Sequence, residues 1–365
     1  MPQSPTKPHG VIVSLQYLRG LAAMMVVFSH GFDQLPWLKA LMPNVGLSGV
    51  DLFFVISGFI MVFVTAGAET SPGNFFRMRI VRIVPLYWLF NFVNAALFIA
   101  FPQLFQTAVL TLKHFILSLF FIPHLSPAVP PSISPFILLG WTLNYEMFFY
   151  AIFALAMAVS LMRRVPLTIG VLVSMVALGT LSVFDGSPAL EFYSNDIVLE
   201  FVFGMALAQL FLNGTLARVG VGPAWVAIGL GAIGVAVGAY HITEMPRALA
   251  FGLPAALMVA GALSIEAGRE VRRVQPFLII GDASYSIYLA HLFPIALERF
   301  AWARLALPTE GILPVVSFVG VALVGGACAG IACYLVVERP MLKVMRGWIK
   351  AKPAASLNRP VLAEN

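Results

Sequence analysis

Ten runs of about twenty apolar residues, separated by short polar or basic stretches, dominate this chain. At 1.5 Å of helical rise per residue, a run of that length matches the ~30 Å hydrocarbon core of a bilayer. In hydrocarbon every backbone N–H and C=O must be bonded within the protein, so such runs fold as helices. They fall at about 14–32, 49–67, 81–101, 137–161, 166–184, 193–213, 222–240, 246–265, 276–298 and 312–337. Composition agrees: 60% of the residues are hydrophobic and 10% are charged, against about 25% charged in soluble domains. The expected fold is all-α, a polytopic transmembrane bundle of about ten helices embedded in a lipid bilayer. No internal repeat is visible, so the paired halves common among transporters are not expected.

Loop charge orients the bundle. A cytoplasmic N-terminus places 17 of the 22 Lys and Arg residues inside, with Lys39, Lys113, Arg247, Arg299 and Arg304 outside. This follows the positive-inside bias and puts both termini in the cytoplasm. Residues 102–136 carry six prolines and a short apolar run, Val109 to Ile122, interrupted by Lys113 and His114. Fourteen residues suit an interfacial or re-entrant element rather than a span. A crossing there would invert every later loop against the charge bias. The resulting division is a cytoplasmic segment 1–13, a transmembrane domain 14–340 and a basic cytoplasmic tail 341–365, its end from 351 being short and disordered.

The net charge of +6 does not point to nucleic acid, because the basic residues form short clusters between apolar runs and no single soluble surface. Arg19 interrupts what would be the core of a signal peptide, and no small-residue cleavage site follows, so the first span is expected to remain. The two cysteines, Cys328 and Cys333, stand five residues apart in one apolar run and point away from each other. Neither a disulfide nor a metal site is indicated.

Against this apolar background the ionisable residues stand out. Arg19 and His30 are eleven residues apart in the first run, about three turns, on one helix face and roughly 16 Å apart along the axis. Intramembrane charges of this kind are costly and mark functional sites. The topology brings His30, Asp51 at the outer start of the second span, Glu146 in the fourth and His291 in the ninth to one outer layer, where pairing and burial can poise acid–base groups. In GDASYSIYLAH the residues Ser284, Tyr288 and His291 form one stripe with Asp282 on the opposite side; in WTLNYEMFFY, Thr142, Glu146 and Tyr150 share a face. Arg77, Arg79 and Arg82 of FRMRIVR lie in an internal loop at the cytoplasmic side and offer planar donors for phosphate. Each has a structural alternative: the arginines as topology determinants, His30 and His291 as packed histidines, Asp51 as a cap or pair. Asp196 and Glu200, an i,i+4 carboxylate pair, read as surface charges or as flanking the site.

Taken together, LQYLRGLAAMMVVFSH with its Arg-x10-His spacing, GVDLFFVISGFIM, RIVR, WTLNYEMFFY, SYSIYLAH and the closing VERP resemble the acyltransferase-3 family of integral membrane acyltransferases, in particular bacterial exopolysaccharide O-acetyltransferases of the ExoZ type. The motifs run from residue 15 to 340 in order. The resemblance implies transfer of an acyl group, commonly acetyl from acetyl-CoA as co-substrate, to a carbohydrate hydroxyl at the outer face of the bacterial inner membrane. By motif, Arg19 and His30 match the family's first-helix pair, Arg79 and Arg82 its donor-associated arginines, and Glu146 the acid of Trp-[Ser/Thr]-Leu-x-x-Glu, with Thr142 in place of the commoner serine. Some relatives carry an appended extracytoplasmic domain; this chain ends soon after VERP, so its membrane part is expected to act alone or with a separate partner in polysaccharide biosynthesis.

The expected mechanism has acyl-CoA phosphates near Arg79, Arg82 and Arg77, and the pantetheine arm along Arg19. His30 acts as general base with Glu146 or Asp51 orienting its ring, or else carries the acyl group transiently. Asn144, Ser284, Tyr288 and His291 are auxiliary candidates, Asn144 and Tyr288 as oxyanion donors. Two other classes stay open: a transporter or flippase for a lipid-linked sugar, and a non-catalytic partner in polysaccharide export.

Overall fold

The computed structural model describes residues 12–35, 37–38, 43–67, 70–102 and 109–350, with the side chains of 348–350 excepted. The expectations for the segment before Ile12, for Lys39 and for the tail 351–365 lie outside the described residues. Every apolar run is helical. The main helices are α1 (Val13–Phe32), α2 (Gly49–Thr65), α3 (Pro72–Ala100), a short α4 (Leu112–Leu119), α5 (Gly140–Val159), α6 (Arg164–Thr180), a short α7 (Pro188–Tyr193), α8 (Leu199–Leu212), α9 (Val221–His241) and α10 (Leu253–Gly268). They are followed by α11 (Gln275–Asp282), α12 (Ser284–Ala290), α13 (Leu292–Arg304), α14 (Ile312–Cys333) and α15 (Arg339–Lys350). Among the described residues six helical stretches are long and apolar enough by themselves to cross a membrane. The protein is a membrane helix bundle.

Contacts at the helix ends sort the bundle into two faces. At one, Glu266 of α10 accepts the first backbone N–H groups of α1 at 3.1 and 2.7 Å, and Tyr17 donates to the Arg272 carbonyl at 2.6 Å. Arg164, opening α6, bonds Thr65 at the end of α2 on this same basic face. At the other, Asn44 ties the end of α1 through Ser29, and Arg247 reaches Asp51 at the start of α2. α1 and α2 therefore run in opposite directions. The centre is packed closely: α2 and α8 cross where a Cβ on Gly204 would stand 1.9 Å from the Val55 carbonyl oxygen and one on Gly58 2.2 Å from that of Phe201.

Three local features differ from the sequence reading, and the helix in the segment after α3 is too short to cross, as expected. α3 begins at Pro72, so Arg77, Arg79 and Arg82 lie inside a helix, not in a loop. Ser71 supplies the cap, its Oγ accepting the Asn74 N–H at 3.3 Å, and Pro72 occupies the first turn. The ninth run is not one helix. It turns at Ala283 and again at His291, with Pro294 unable to donate to the carbonyl a turn below. At the C-terminal end, α14 continues through a π-helical turn, Tyr334–Glu338, into α15, so the tail is helical to Lys350. The 102–136 segment holds the eight-residue α4, about 12 Å long and too short to cross. It docks beside α3, where Tyr87 and Trp88 donate to the carbonyls of Ser118 and Leu119.

Candidate active site

A cavity of about 430 Å3 lies among α1, α2, α3, α5, α12 and α15, within the ~300–1,000 Å3 usual for small-molecule sites. Its polar wall includes Arg19, Ser57, Arg79, Arg82, Glu146 and Tyr150. Helical spacing explains the selection. Phe75, Arg79 and Arg82 stand at i, i+4 and i+7 on one face of α3, and the Arg79 guanidinium lies over the rings of Phe75 and Tyr150 at 5.7 and 6.0 Å. Arg77, two residues from Arg79, is exposed on another face and bonds Asn74 at 3.0 Å. It does not join the other two. Thr142, Glu146 and Tyr150 do share a face, and all three line the cavity.

Three of these charges have hydrogen-bonded partners. Glu146 accepts the hydroxyls of Ser57, at 2.9 Å, and of Tyr150. Arg82 pairs with Glu338, a fully buried carboxylate whose other oxygen accepts Ser286 Oγ at 2.5 Å. Arg19 donates to Ser284 Oγ at 3.0 Å and Gln16 at 3.4 Å. The Nε of Arg79 is buried with no acceptor, a cost a bound anion would offset.

Toward the far end of α1 the cavity closes. The Tyr288 hydroxyl meets Thr142 Oγ1 at 2.6 Å and donates to the Leu139 carbonyl at 2.7 Å. Beyond this pair lie His30 and His291, their rings 4.9 Å apart. Each ring places Nδ1 3.0 Å from the carbonyl four residues earlier, Val26 for His30 and Ile287 for His291. A carbonyl only accepts, so Nδ1 carries the hydrogen and both Nε2 atoms present lone pairs. The Nε2 of His291 is buried and unpartnered. Arg19 and His30 thus face the same element, touching Ser284 and His291 of one stripe, and the first-run geometry read from spacing holds.

Three site readings need correction. Neither expected carboxylate holds His30: Glu146 faces the arginine cavity, and Asp51 is clamped by Arg247, Nε to Oδ1 and Nη2 to Oδ2 both at 2.9 Å. The guanidinium of Arg247 lies over Trp141 and Phe251. Spacing along one helix cannot reveal a cation arriving from 196 residues away. Asn144 is buried away from the cavity, 200° around α5 from Glu146 at 100° per residue. Asp282 lines the cavity with Ser284, because the turn at Ala283 ends the phase that placed it opposite. Outside the site, the pair read as surface charges is also corrected. Glu200 is fully buried beside the Asp51–Arg247 pair, and Asp196 accepts the Ala248 N–H at 2.7 Å.

The structure adds residues that sequence reasoning passed over. Glu338 was visible as the acid of VERP in an apolar run, a signal as strong as Glu146. Tyr285, whose hydroxyl donates to the Ile83 carbonyl at 2.7 Å and whose ring lies under Arg82, was overlooked between Ser284 and Tyr288. Arg346 lines the cavity although it reads as one more charge of the tail. Among the described residues no group of three or more His, Cys, Asp or Glu could hold a metal ion.

The bundle thus gathers arginines and an anchored carboxylate in one cavity, with a histidine pair beyond its closed end. The family model for the acyltransferase 3 group, described as "Acyltransferase domain", matches residues 12–334, and the chain belongs to this family. It is similar to the "Exopolysaccharide production protein ExoZ" of Rhizobium meliloti (strain 1021), 39% identical over 301 residues that cover 82% of this chain and 90% of the relative. It also resembles "Putative acetyltransferase ORF330" of Acidianus two-tailed virus, 29% identical over 167 residues, covering 45% of this chain and 46% of the relative. No solved structure matches the chain.

Proposed function

We propose that this protein is an O-acyltransferase of the bacterial inner membrane that moves an acetyl group from cytoplasmic acetyl-CoA to a hydroxyl of an exopolysaccharide sugar at the outer face. The observation that carries the reading is the joining of Arg19, Arg79, Arg82 and Glu146 in one cavity, with the His30–His291 pair beyond its outer end. The name of the rhizobial relative supplies the polysaccharide context. The donor enters from the basic face, its phosphates toward Arg79 and Arg82. Its pantetheine arm runs past Arg19 and Glu146 toward Tyr288. For the thioester to reach His30, the Tyr288–Thr142 contact must open.

His30 acts through Nε2. It accepts the proton of the sugar hydroxyl as that oxygen attacks the thioester carbonyl carbon. The tetrahedral intermediate collapses with cleavage of the C–S bond, and the imidazolium returns the proton to the departing CoA thiolate. His291 presents a second lone pair beside the ring, and the Val26 carbonyl orients the His30 ring through Nδ1. The freed Tyr288 hydroxyl is the donor placed to meet the developing oxyanion.

The test uses purified protein in lipid nanodiscs with acetyl-CoA labelled in the acetyl group and an exopolysaccharide oligosaccharide. Transfer of label to the sugar with equimolar CoA release supports the proposal. Neither label transfer nor CoA release, or movement of the sugar across vesicles without ester formation, refutes it. Mass spectrometry of surface polysaccharide from cells with and without the protein identifies the acyl group and the hydroxyl.

A further inference from the structure

The cavity that would take the acyl donor is not finished by α3. Its rim on the basic face is supplied by α15, from which Leu342 and Arg346, one turn apart on one helix face, both line the cavity. Leu342 is buried and Arg346 is exposed at the rim. The arrangement depends on the π-helical turn Tyr334–Glu338. That turn carries Glu338 to Arg82, and the same continuous rod delivers Arg346 eight residues later, about 12 Å farther along the axis.

The charges in this part of the cavity do not balance. Arg82 is paired with Glu338, whereas the Arg79 Nε has no acceptor and Arg346 forms no ion pair among the described residues. Arg79 and Arg346 both line the same cavity. The cavity lining carries four arginines, Arg19, Arg79, Arg82 and Arg346, against two carboxylates, Glu146 and Asp282, a surplus that favours an anion. The two positions also differ in depth. Arg79 lies within the bundle, packed on Phe75 and Tyr150, and Arg346 at the rim.

We infer that Arg346 forms a separate phosphate subsite, and that its ligand is the ribose 3′-phosphate of the acyl-CoA donor. This rests on the donor reading given above. Coenzyme A carries its charge in two places, a 5′-diphosphate at the root of the pantetheine arm and a monophosphate on the ribose 3′-oxygen. With the arm directed inward, the diphosphate comes to the deeper arginines of α3. The 3′-phosphate is the last charged group along the ligand and comes to the rim, where α15 presents Arg346. The terminal helix is then a recognition element that distinguishes coenzyme A from donors lacking the 3′-phosphate, and more than a basic tail that sets topology.

The full-length protein in nanodiscs is titrated with coenzyme A and with 3′-dephospho-coenzyme A. The wild type is expected to prefer coenzyme A by at least about tenfold, one charge-assisted phosphate contact. Arg346→Ala abolishes that preference by weakening coenzyme A alone, leaving the affinity for the dephospho form within about twofold. Arg346→Lys keeps part of the preference. Arg79→Ala, in contrast, weakens both ligands and preserves their ratio. If Arg346→Ala retains the wild-type ratio, or the wild type shows no preference, the 3′-phosphate assignment is wrong and the donor reading stands. Failure of the wild type to bind either ligand overturns both.

Discussion

Removal of the Asp51 carboxylate tests whether this residue serves the chemistry or the fold. Asp51 is fully buried and receives two parallel hydrogen bonds from Arg247, whose side chain is 22% exposed. Truncation to alanine leaves a desolvated guanidinium. Breaking a buried pair in this way costs about 3–5 kcal/mol. Here the lower end applies, because Arg247 keeps some solvent contact, a 3.3 Å bond to the Leu47 carbonyl and the faces of Trp141 and Phe251. The expected loss for Asp51→Ala is therefore roughly 3 kcal/mol, read by equilibrium unfolding in mixed SDS micelles. Arg247→Ala should cost at least as much, since it leaves Asp51 beside Glu200, a second buried carboxyl. The pair Asp51→Leu with Arg247→Leu should cost clearly less than the sum of the single changes, with a coupling of ~2 kcal/mol or more. Acyl transfer in each variant should follow the folded fraction. If Asp51→Ala abolishes transfer while costing under about 0.5 kcal/mol, or if the two positions prove additive, the structural assignment is refuted.

His30→Ala should lower acyl transfer by about 10²–10⁴ while the protein still inserts and purifies; full turnover in that variant removes the general-base mechanism. Gly204→Ala should destabilise the crossing of α2 and α8, because its Cβ would overlap the Val55 carbonyl oxygen at 1.9 Å and a backbone atom cannot step aside. Thermal unfolding in detergent checks this, with Gly170→Ala, where nothing lies within 4 Å, as the tolerated control. In the segment after α3, burial and then the neighbouring His124 hold His114 down at about 4, from 6.5 when free. The sign follows from linkage: the folded form resists protonation, so the segment is fully stable above about pH 6.5 and weakens as pH falls from there toward 4. The hydrogen-exchange protection of residues 112–136, taken relative to the intrinsic amide rate at each pH, should fall between pH 7 and pH 5, and His114→Gln should flatten the response.

Hydropathy fixes the helical bundle because apolar length is a local property: a stretch such as Ile312–Cys333 needs no knowledge of its neighbours to be placed in a membrane. Spacing within one helix is likewise local. The shared face of Arg19 and His30, the stripe Ser284, Tyr288, His291 and the face of Thr142, Glu146 and Tyr150 were therefore legible before any contact was known. The separation of Arg77 from Arg79 and Arg82 was legible too, since it follows from the same 100° step. Partners across the bundle were not, because a hydrogen bond depends on which helices meet and at what depth. Only the tertiary structure brings Arg247 to Asp51, Glu338 to Arg82 and His291 to His30. It also decides what the interruptions do: the turn at Ala283 swings Asp282 into the cavity, and the π-helical turn at Tyr334–Glu338 sets the phase of α15 so that Arg346 reaches it. The sequence determined which side chains cannot rest in lipid, and the packing of the helices chose the partner that each of them found.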